Sequence, residues 1–570
     1  MSLIKANAVQ VGQSPTATQN FTLAVPSSPD GTIKLARGNS GATTQDVLSV
    51  DASGNVSFVG NTTSNVSNST AIATGSTTAR SLANRFADVV NVKDFGAVGD
   101  GITNDRAAIQ LAIDSLGSAG GTVLIPNGMK CLIDLNGLIV KPNVSLVGPH
   151  KFVGSPQDNS SAPYNNIGGA IVLDAGTVGV SIYMQGGSSI SGLLIYRKGM
   201  VFPVQNASAF TGTAIIASDD DVAVSHCMIL GFNKAYYSTG HQRARIDYVY
   251  MDNVNGIEID NCLDVFYISN CHAWPFASIA WGPGSIIVRN GTAYRFSNRT
   301  DWGKISNCFS YGYLTGLDAD DVFTSISIVN CSFDNNLGLW SGIDLTNLTA
   351  IKIRKQSGDV RVIGCQCSAH TTGIYIDNTF ANGCTTINGS SITNGTNGVF
   401  LENGNATITN CYFSQLVNSV NIQKSSSYVI FNNNFSILIT GKVITSLVNN
   451  ARTQFGINNT SINTFINPLQ NIVSDSITPT VTGECNIPQQ GSVFFVNGTN
   501  NFSKLRHGWA GRNVTLIFSS VLTVQAAGPT PAIDEMVLDA GNFTTAIGNT
   551  ITLVHTGTTW YEVSRTPRNP

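Results

Sequence analysis

The sequence predicts an all-β chain built around a β-solenoid, and three observations carry that prediction. A phrase of glycine, apolar, variable, apolar, variable and asparagine recurs as GIEIDN (256–261), GIDLTN (342–347), GIYIDN (373–378) and GVFLEN (398–403). AYRFSN (293–298) and GLDADD (316–321) are looser copies. A companion phrase ends in cysteine: ISNC (268–271), ISNC (305–308), IVNC (328–331), VIGC (362–365) and ITNC (408–411). The copies are spaced by about 22 residues or by larger gaps that read as one or two turns plus a loop, and a period of roughly 20–50 residues marks a stacked architecture.

Each phrase alternates apolar and polar residues, so each reads as a short strand with one face inward. Two such strands per period bury too little alone and must stack on their neighbours. Cys271, Cys308, Cys331, Cys365 and Cys411 share a rung position and read as a buried ladder of small apolar side chains. Asn261, Asn298, Asn347, Asn378 and Asn403 share another. There a left-handed turn residue is expected, with side-chain amides bonding up the stack.

Composition supports strands and turns over long helices. Charged residues are 11% of the 570, glycines number 56 and glutamates only five. A net charge of −3 gives no sign of a nucleic-acid or membrane partner. The opening MSLIKANAVQ lacks the apolar run of a secretory signal, and no stretch is apolar enough to span a bilayer. Cys365 and Cys367, the only close pair among eleven cysteines, lack partners at zinc-site spacing. No phosphate loop or nucleophile elbow occurs. Neither cofactor nor metal is expected.

In chain order, residues 1–85 read as a separate polar module. It holds a hairpin at VLSVDASGNVSF (47–58), closed by Ser53, Gly54 and Asn55, and a Ser/Thr/Asn-rich neck over 61–78. Residues 86–465 hold the solenoid. It opens with NVKDFGAVGDGITNDRAAIQLAIDSLGSAGGTVLIPNG (91–128), where Thr103 or Asn104 can cap a helix carrying Ala108, Ile109, Ala112, Ile113 and Leu116 at helical spacing. Such a helix suits the open apolar end of a first coil. Residues 466–570, with SVFFV, VTLIF, VLTVQ, TITLV and TWYEVS, read as a β-sandwich.

The glycine-rich opening, its helix and GGTVLIPNG resemble the start of the pectate-lyase-like right-handed β-helix found in bacteriophage tailspikes and capsule depolymerases. Met129 stands where that pattern usually has an aromatic residue. DVLSVDASGNVSF resembles phage tail anchor modules, and ITLVHTGTTWYEVSR (551–565) resembles the closing hairpin of other tailspikes. The resemblance implies a virion-borne homotrimer. Its first 85 residues would dock on a phage tail or adaptor protein, and its β-helix would bind and cleave a bacterial capsular or O-antigen polysaccharide.

Candidate chemistry follows from reading outward residues as columns. One runs Tyr237, Glu258, Arg295, Asp318, Asp344, Tyr375, Phe400. The next runs Thr239, Asp260, Ser297, Asp320, Thr346, Asp377, Glu402. Rungs stack about 4.8 Å apart, so Glu258 and Asp318 should flank Arg295 about 9.6 Å from one another. Paired carboxylates are what glycoside hydrolysis needs, which makes Glu258, Asp260, Asp318 and Asp320 the candidate catalytic residues. Arg295, Tyr237, His241 and Arg243 are candidate substrate contacts. So are Trp274, Trp281, Trp302 and Trp340, since sugars stack on such rings; the 274–281 loop is expected to roof the groove. Hydrolysis is favoured over β-elimination, in which Arg295 or Tyr237 with His241 would serve as base. A cation on the Asp219–Asp221 run and a non-catalytic receptor-binding spike are further readings.

Overall fold

The computed structural model describes residues 8–16, 20–24, 33–39, 42–53, 56–58, 70–134, 136–149, 169–175, 180–200, 210–277, 289–334, 347–368, 371–378, 383–424, 427–441, 443–446, 452–455, 460–462, 476–488 and 492–566. The chain divides into two compact units, residues 1–88 and 89–570.

In the first unit, strands Ala8–Val11, Phe21–Ala24, Ile33–Asn39, Ala42–Val50 and Val56–Phe58 form one antiparallel sheet. Val50 pairs with Val56, as the hairpin reading requires; Gly54 and Asn55 of its turn lie outside the described residues. The expected neck is partly structured instead. Thr70–Ile72 pairs with Ala79–Ser81, and a short helix, Leu82–Phe86, follows under an N-cap hydrogen bond from the Asn84 amide to the Ser81 hydroxyl.

In the second unit the chain winds as a parallel β-helix with three strands per coil, where the sequence suggested two. One coil is Arg245–Asp247, Tyr250–Asp252 and Asn255–Asp260, and the next begins at Phe266–Ser269. Its first strands stack into a 14-stranded sheet, the first face; second and third strands build the other two. The second strand of a coil is often only two or three residues, as at His272–Ala273, too short to display alternation in sequence. The faces enclose one continuous apolar core from Val92 to Ile444.

The corner between the first and second faces is a single left-handed residue. Asn270, Asn307, Asn330, Asn410 and Asn433 have φ of 54°, 54°, 52°, 56° and 51°, and Gly364 has 62°. This is where the asparagine ladder sits: Asn307 donates to Asn270 at 3.3 Å, Asn410 to Asn388 at 2.9 Å and Asn433 to Asn410 at 2.6 Å. Of the asparagines expected in that role, only Asn261 and Asn298 are left-handed. The cysteine ladder is as read, all five thiols buried with Cys227 added below them. The Cys308 amide donates to the Cys331 sulfur at 3.4 Å, a place taken one rung above Cys365 by the Ser390 hydroxyl and above Cys411 by the Asn434 amide oxygen.

The predicted helix is Arg106–Ser115, with Ile109, Ala112 and Ile113 packed into the core. Its N-cap is Asp105 rather than Thr103 or Asn104. The Asp105 carboxylate accepts from Val98 and Gly99, tying the glycine-rich turns to the helix start instead of capping it. Towards the C-terminus, strands Val493–Val496, Asn513–Phe518, Thr550–His555, Trp560–Arg565 and Met536–Val537 form a mixed five-stranded sheet beside two two-stranded ones. They share a separate core around Phe494, Phe502 and Trp560, whose indole N–H donates to the Leu505 carbonyl at 2.7 Å.

Candidate active site

The repeated glycine phrase forms the third face. Its glycine is fixed by crowding between rungs: a Cβ at Gly256 would sit 2.2 Å from the Ala293 carbonyl oxygen, and one at Gly373 would sit 2.6 Å from that of Gly398. The residues after it alternate. Ile257 and Ile259 are buried in the core, so Glu258 and Asp260 point outward.

Backbone pairing then sets the columns. Tyr237 pairs with Glu258, Glu258 with Arg295, Arg295 with Asp318, Asp318 with Lys352, Lys352 with Tyr375 and Tyr375 with Phe400. Glu258, Arg295 and Asp318 are consecutive, as read. The next member is Lys352, not Asp344. In the second column Asp320 pairs with Arg354, not Thr346, and Asp377 with Asn403, not Glu402, across a bulge. The rung is TAIKIR (Thr349–Arg354); GIDLTN resembles it in pattern but precedes it, and Asp344 and Thr346 lie outside the described residues.

That one rung brings the cations which the sequence reading missed. The Arg354 guanidinium grips Asp318 through two hydrogen bonds, at 3.2 and 2.6 Å, and reaches Asp320 at 3.2 Å. Lys355 stands 3.5 Å from the other Asp320 oxygen. Asp318 and Asp320 are 7% and 8% exposed, so their charges are met by protein rather than by bulk water. Glu258 pairs with Lys234 at 2.7 Å, and the same ammonium lies 4.3 Å from the centre of the Tyr237 ring. Asp260 is different. It accepts from Thr239 at 3.0 Å, Ser297 at 2.9 Å and Asn298 at 2.6 Å, so it ties three rungs together and has little capacity left for chemistry. Arg295, between Glu258 and Asp318, has a buried Nε with no hydrogen-bond partner among the described residues.

The other candidates disperse. Trp274 belongs to the second face, where it packs against His272, Phe309 and Tyr311, the last at 4.7 Å between ring centres. It therefore roofs no third-face groove. Burial in this aromatic cluster drops His272 to about 4. Trp281 and Trp340 lie outside the described residues. Both segments that carry them, 278–288 and 335–346, join a second-face strand to a third-face strand. Trp302 is half exposed at the corner between the third and first faces. His241 and Arg243 sit two coils below at that corner. His241 is 3.9 Å from Asp220, and Arg243 engages Asp220, Asp221 and Asp264. Asp219, Asp220 and His241 converge closely enough for a cation, with Asp220 also paired to Arg243.

Ala277 and Arg289, the described residues on either side of 278–288, share one anchor. The buried Asp252 carboxylate accepts from the Ala277 amide at 2.7 Å through one oxygen and from Arg289, with Nε at 3.0 Å, through the other. Arg289 lies fully buried over the Tyr313 ring.

Comparison with known proteins bears on the opening of the second unit. Residues 89–151 match the family model of rhamnogalacturonase A/epimerase, pectate lyase-like. The β-helix therefore opens in the pectate-lyase-like manner. The chain is 64% identical over 39 residues to mannuronan C5-epimerase AlgE4 of Azotobacter vinelandii, a match covering 7% of each protein. It is 29% identical over 150 residues to a depolymerase of Klebsiella phage K64-1, specific for capsule K30/K69, covering 24% of this chain and 18% of that protein. The matches thus span a small part of these relatives, and the resemblance to phage depolymerases extends over those 150 residues. Among solved structures, a mutant tailspike protein of E. coli bacteriophage HK620 in complex with pentasaccharide aligns with 88% of this chain and 96% of its own, at 10% identity and a TM-score of 0.43. The A-module of mannuronan C-5 epimerase AlgE6 aligns with 65% of this chain and 99% of its own, at 13% identity and a TM-score of 0.43.

Proposed function

We propose that the chain is a phage tailspike depolymerase that cleaves a bacterial surface polysaccharide on its third face, by carboxylate-assisted hydrolysis. The observation that carries this reading is the register Glu258–Arg295–Asp318. It sets two carboxylates two rungs apart, about 9.6 Å by rung spacing. That is close to the roughly 6.5–9.5 Å over which a pair of carboxyl groups can hold a water against the far side of a sugar ring and invert its anomeric centre. Asp318, fixed by two bonds from Arg354, acts as the base that takes a proton from the attacking water. Glu258, on a longer side chain held by a single ammonium, is the member of the pair that gives a proton to the departing glycosidic oxygen. Arg295 and Lys352 bind substrate between and beyond them, and Tyr375 with Phe400, stacked at 5.7 Å, continues the column as an apolar wall. Residues 1–85 serve as the virion anchor, and the β-helix assembles as a homotrimer at the bacterial surface.

The test is kinetic. Glu258→Gln and Asp318→Asn should each lower kcat by about 10²–10⁴ on a susceptible capsule, with KM and Tm little changed. Wild-type turnover in both variants would leave the third face a solvated charge ladder and the protein a non-catalytic receptor-binding spike.

One observation favours a second reading, β-elimination on a uronate-bearing glycan: the buried Arg295 Nε has no hydrogen-bond partner among the described residues. Mass analysis of the products separates the two. Hydrolysis adds one water per bond cut, whereas elimination adds none and leaves an unsaturated sugar that absorbs in the ultraviolet.

A further inference from the structure

The first face carries its own line of charged and aromatic side chains, on a different sheet from Glu258 and Asp318. Arg245 pairs with Tyr267, Tyr267 with Lys304, Lys304 with Ser327 and Ser327 with Arg361. Around this column the face is mostly serine, threonine and asparagine. Ser145, Ser189 and Ala223 precede it, and Thr386 and Thr407 follow. Tyr267 is 42% exposed, although alternation alone would be satisfied by a small polar residue. Arg361 is held by Asp359 at 2.6 Å. Arg245 and Lys304 are exposed and have no ion pair among the described residues. Arg245 leans over the Tyr267 ring at 5.8 Å. A depression of about 380 Å³ opens here, lined by Arg245, Ile246, Asp247, Tyr267 and Ser269. The carboxylate in that lining, Asp247, is engaged by the Ser269 hydroxyl at 2.7 Å and the Asn270 amide at 2.9 Å.

We propose that Arg245, Tyr267 and Lys304 form a second, non-catalytic binding site for carboxylate-bearing polysaccharide, with a sugar ring stacked on Tyr267 and its acidic substituents met by the two cations. The proposal rests on the reading of the protein as polysaccharide-directed and adds the class of polymer, acidic rather than neutral. Rung spacing puts each cation about 4.8 Å from the tyrosine position, one on either side, a span suited to a sugar and its substituents. An aromatic face supplies stacking without regard to charge, whereas two exposed cations with no ion pair among the described residues favour anions over neutral polymers. A polymer lying along successive rungs would be retained here while the third face acts on another part of it.

Affinity electrophoresis of the full-length protein through gels containing alginate or dextran tests this. Wild type should be retarded by alginate and not by dextran, with the effect fading as salt is raised. The triple variant Arg245→Ser, Tyr267→Ser, Lys304→Ser should bind alginate about tenfold more weakly at unchanged Tm, and Lys304→Glu alone should also weaken retention. The double variant Glu258→Gln, Asp318→Asn should be retarded like wild type. The proposal is overturned if wild type ignores alginate, if the triple variant is retarded equally, or if the carboxylate double variant loses retention, which would put binding on the third face. It is overturned as well if the triple variant falls to a smaller oligomer by light scattering, since the face would then be a contact between copies. Failure of the cleavage reading is seen separately, in the turnover of the Glu258 and Asp318 variants.

Discussion

The first and third faces of the β-helix are wound from the same coils, yet they hold their outward residues in different ways. Along the first face each strand from Ser189–Ser191 to Tyr428–Asn432 ends in one left-handed residue, and side-chain amides and hydroxyls bond from rung to rung. The third face is entered through longer connections, at 201–209, 278–288 and 335–346, and its outward positions carry acids and bases in alternation. A one-residue corner admits no insertion without losing register, whereas the corner between the second and third faces accepts a dozen residues and resumes. The proposed chemistry lies beside the corner that tolerates length, which is the usual relation between loops and function on a rigid scaffold.

The largest expected effect strikes what the two faces share. Gly373→Val places a side chain against the Gly398 carbonyl and the Ile392 side chain, in a stack that cannot spread locally. The expected outcome is loss of soluble folded protein, or a fall in stability beyond the roughly 1–3 kcal/mol typical of overpacking; expression yield and Tm read it. If Gly373→Val folds normally, rung contact is looser on the third face than the register implies.

Next come the amide substitutions at Glu258 and Asp318, which separate the faces by activity alone. A contrasting variant sharpens the result. Asp260→Asn should leave turnover within about tenfold of wild type and lower stability by about 1 kcal/mol, since three hydrogen bonds to the two neighbouring rungs are weakened rather than a proton donor removed.

The second face offers a pH test. His272 is held neutral down to about 4 by burial, while an exposed histidine takes up its proton near 6.5. The unfolded chain therefore binds more protons between those values, and stability falls as pH drops from about 6.5 to 4. His272→Phe should flatten that slope by the order of 2 kcal/mol in urea melts at pH 4.5 against pH 7.5. An unchanged slope would mean that the imidazole is solvated.

At the first-face corner an effect on stability alone is expected. Asn410→Ala breaks two ladder bonds and puts alanine at φ 56°, for a loss of about 1–2 kcal/mol in Tm or urea midpoint with no change in turnover.

The sequence declared the stack because glycine, isoleucine and cysteine recur wherever a rung admits one size of side chain, and Cys308 and Cys331 show that rule in a single contact. It declared the Glu258–Arg295–Asp318 order because those rungs are short and unambiguous. It misled between 335 and 354, where GIDLTN and TAIKIR carry the same alternation and only pairing with Asp318 tells them apart. Choosing the first hid Lys352 and Arg354, so the acidic columns looked uncompensated. Trp274 misled for another reason: a second-face strand of two residues, His272–Ala273, is too short to announce which way its neighbours point.

The buried Asp252 carboxylate has a consequence for how such a protein can diversify. It joins Ala277 to Arg289 at the neck of the intervening segment, so the coil below is closed whatever lies between them. The entropic cost of a longer closed loop rises only logarithmically, by about 0.6 kcal/mol per doubling. The stretch from 278 to 288 is in effect a replaceable cassette. Residues exchanged there leave the rungs on either side paired as they are.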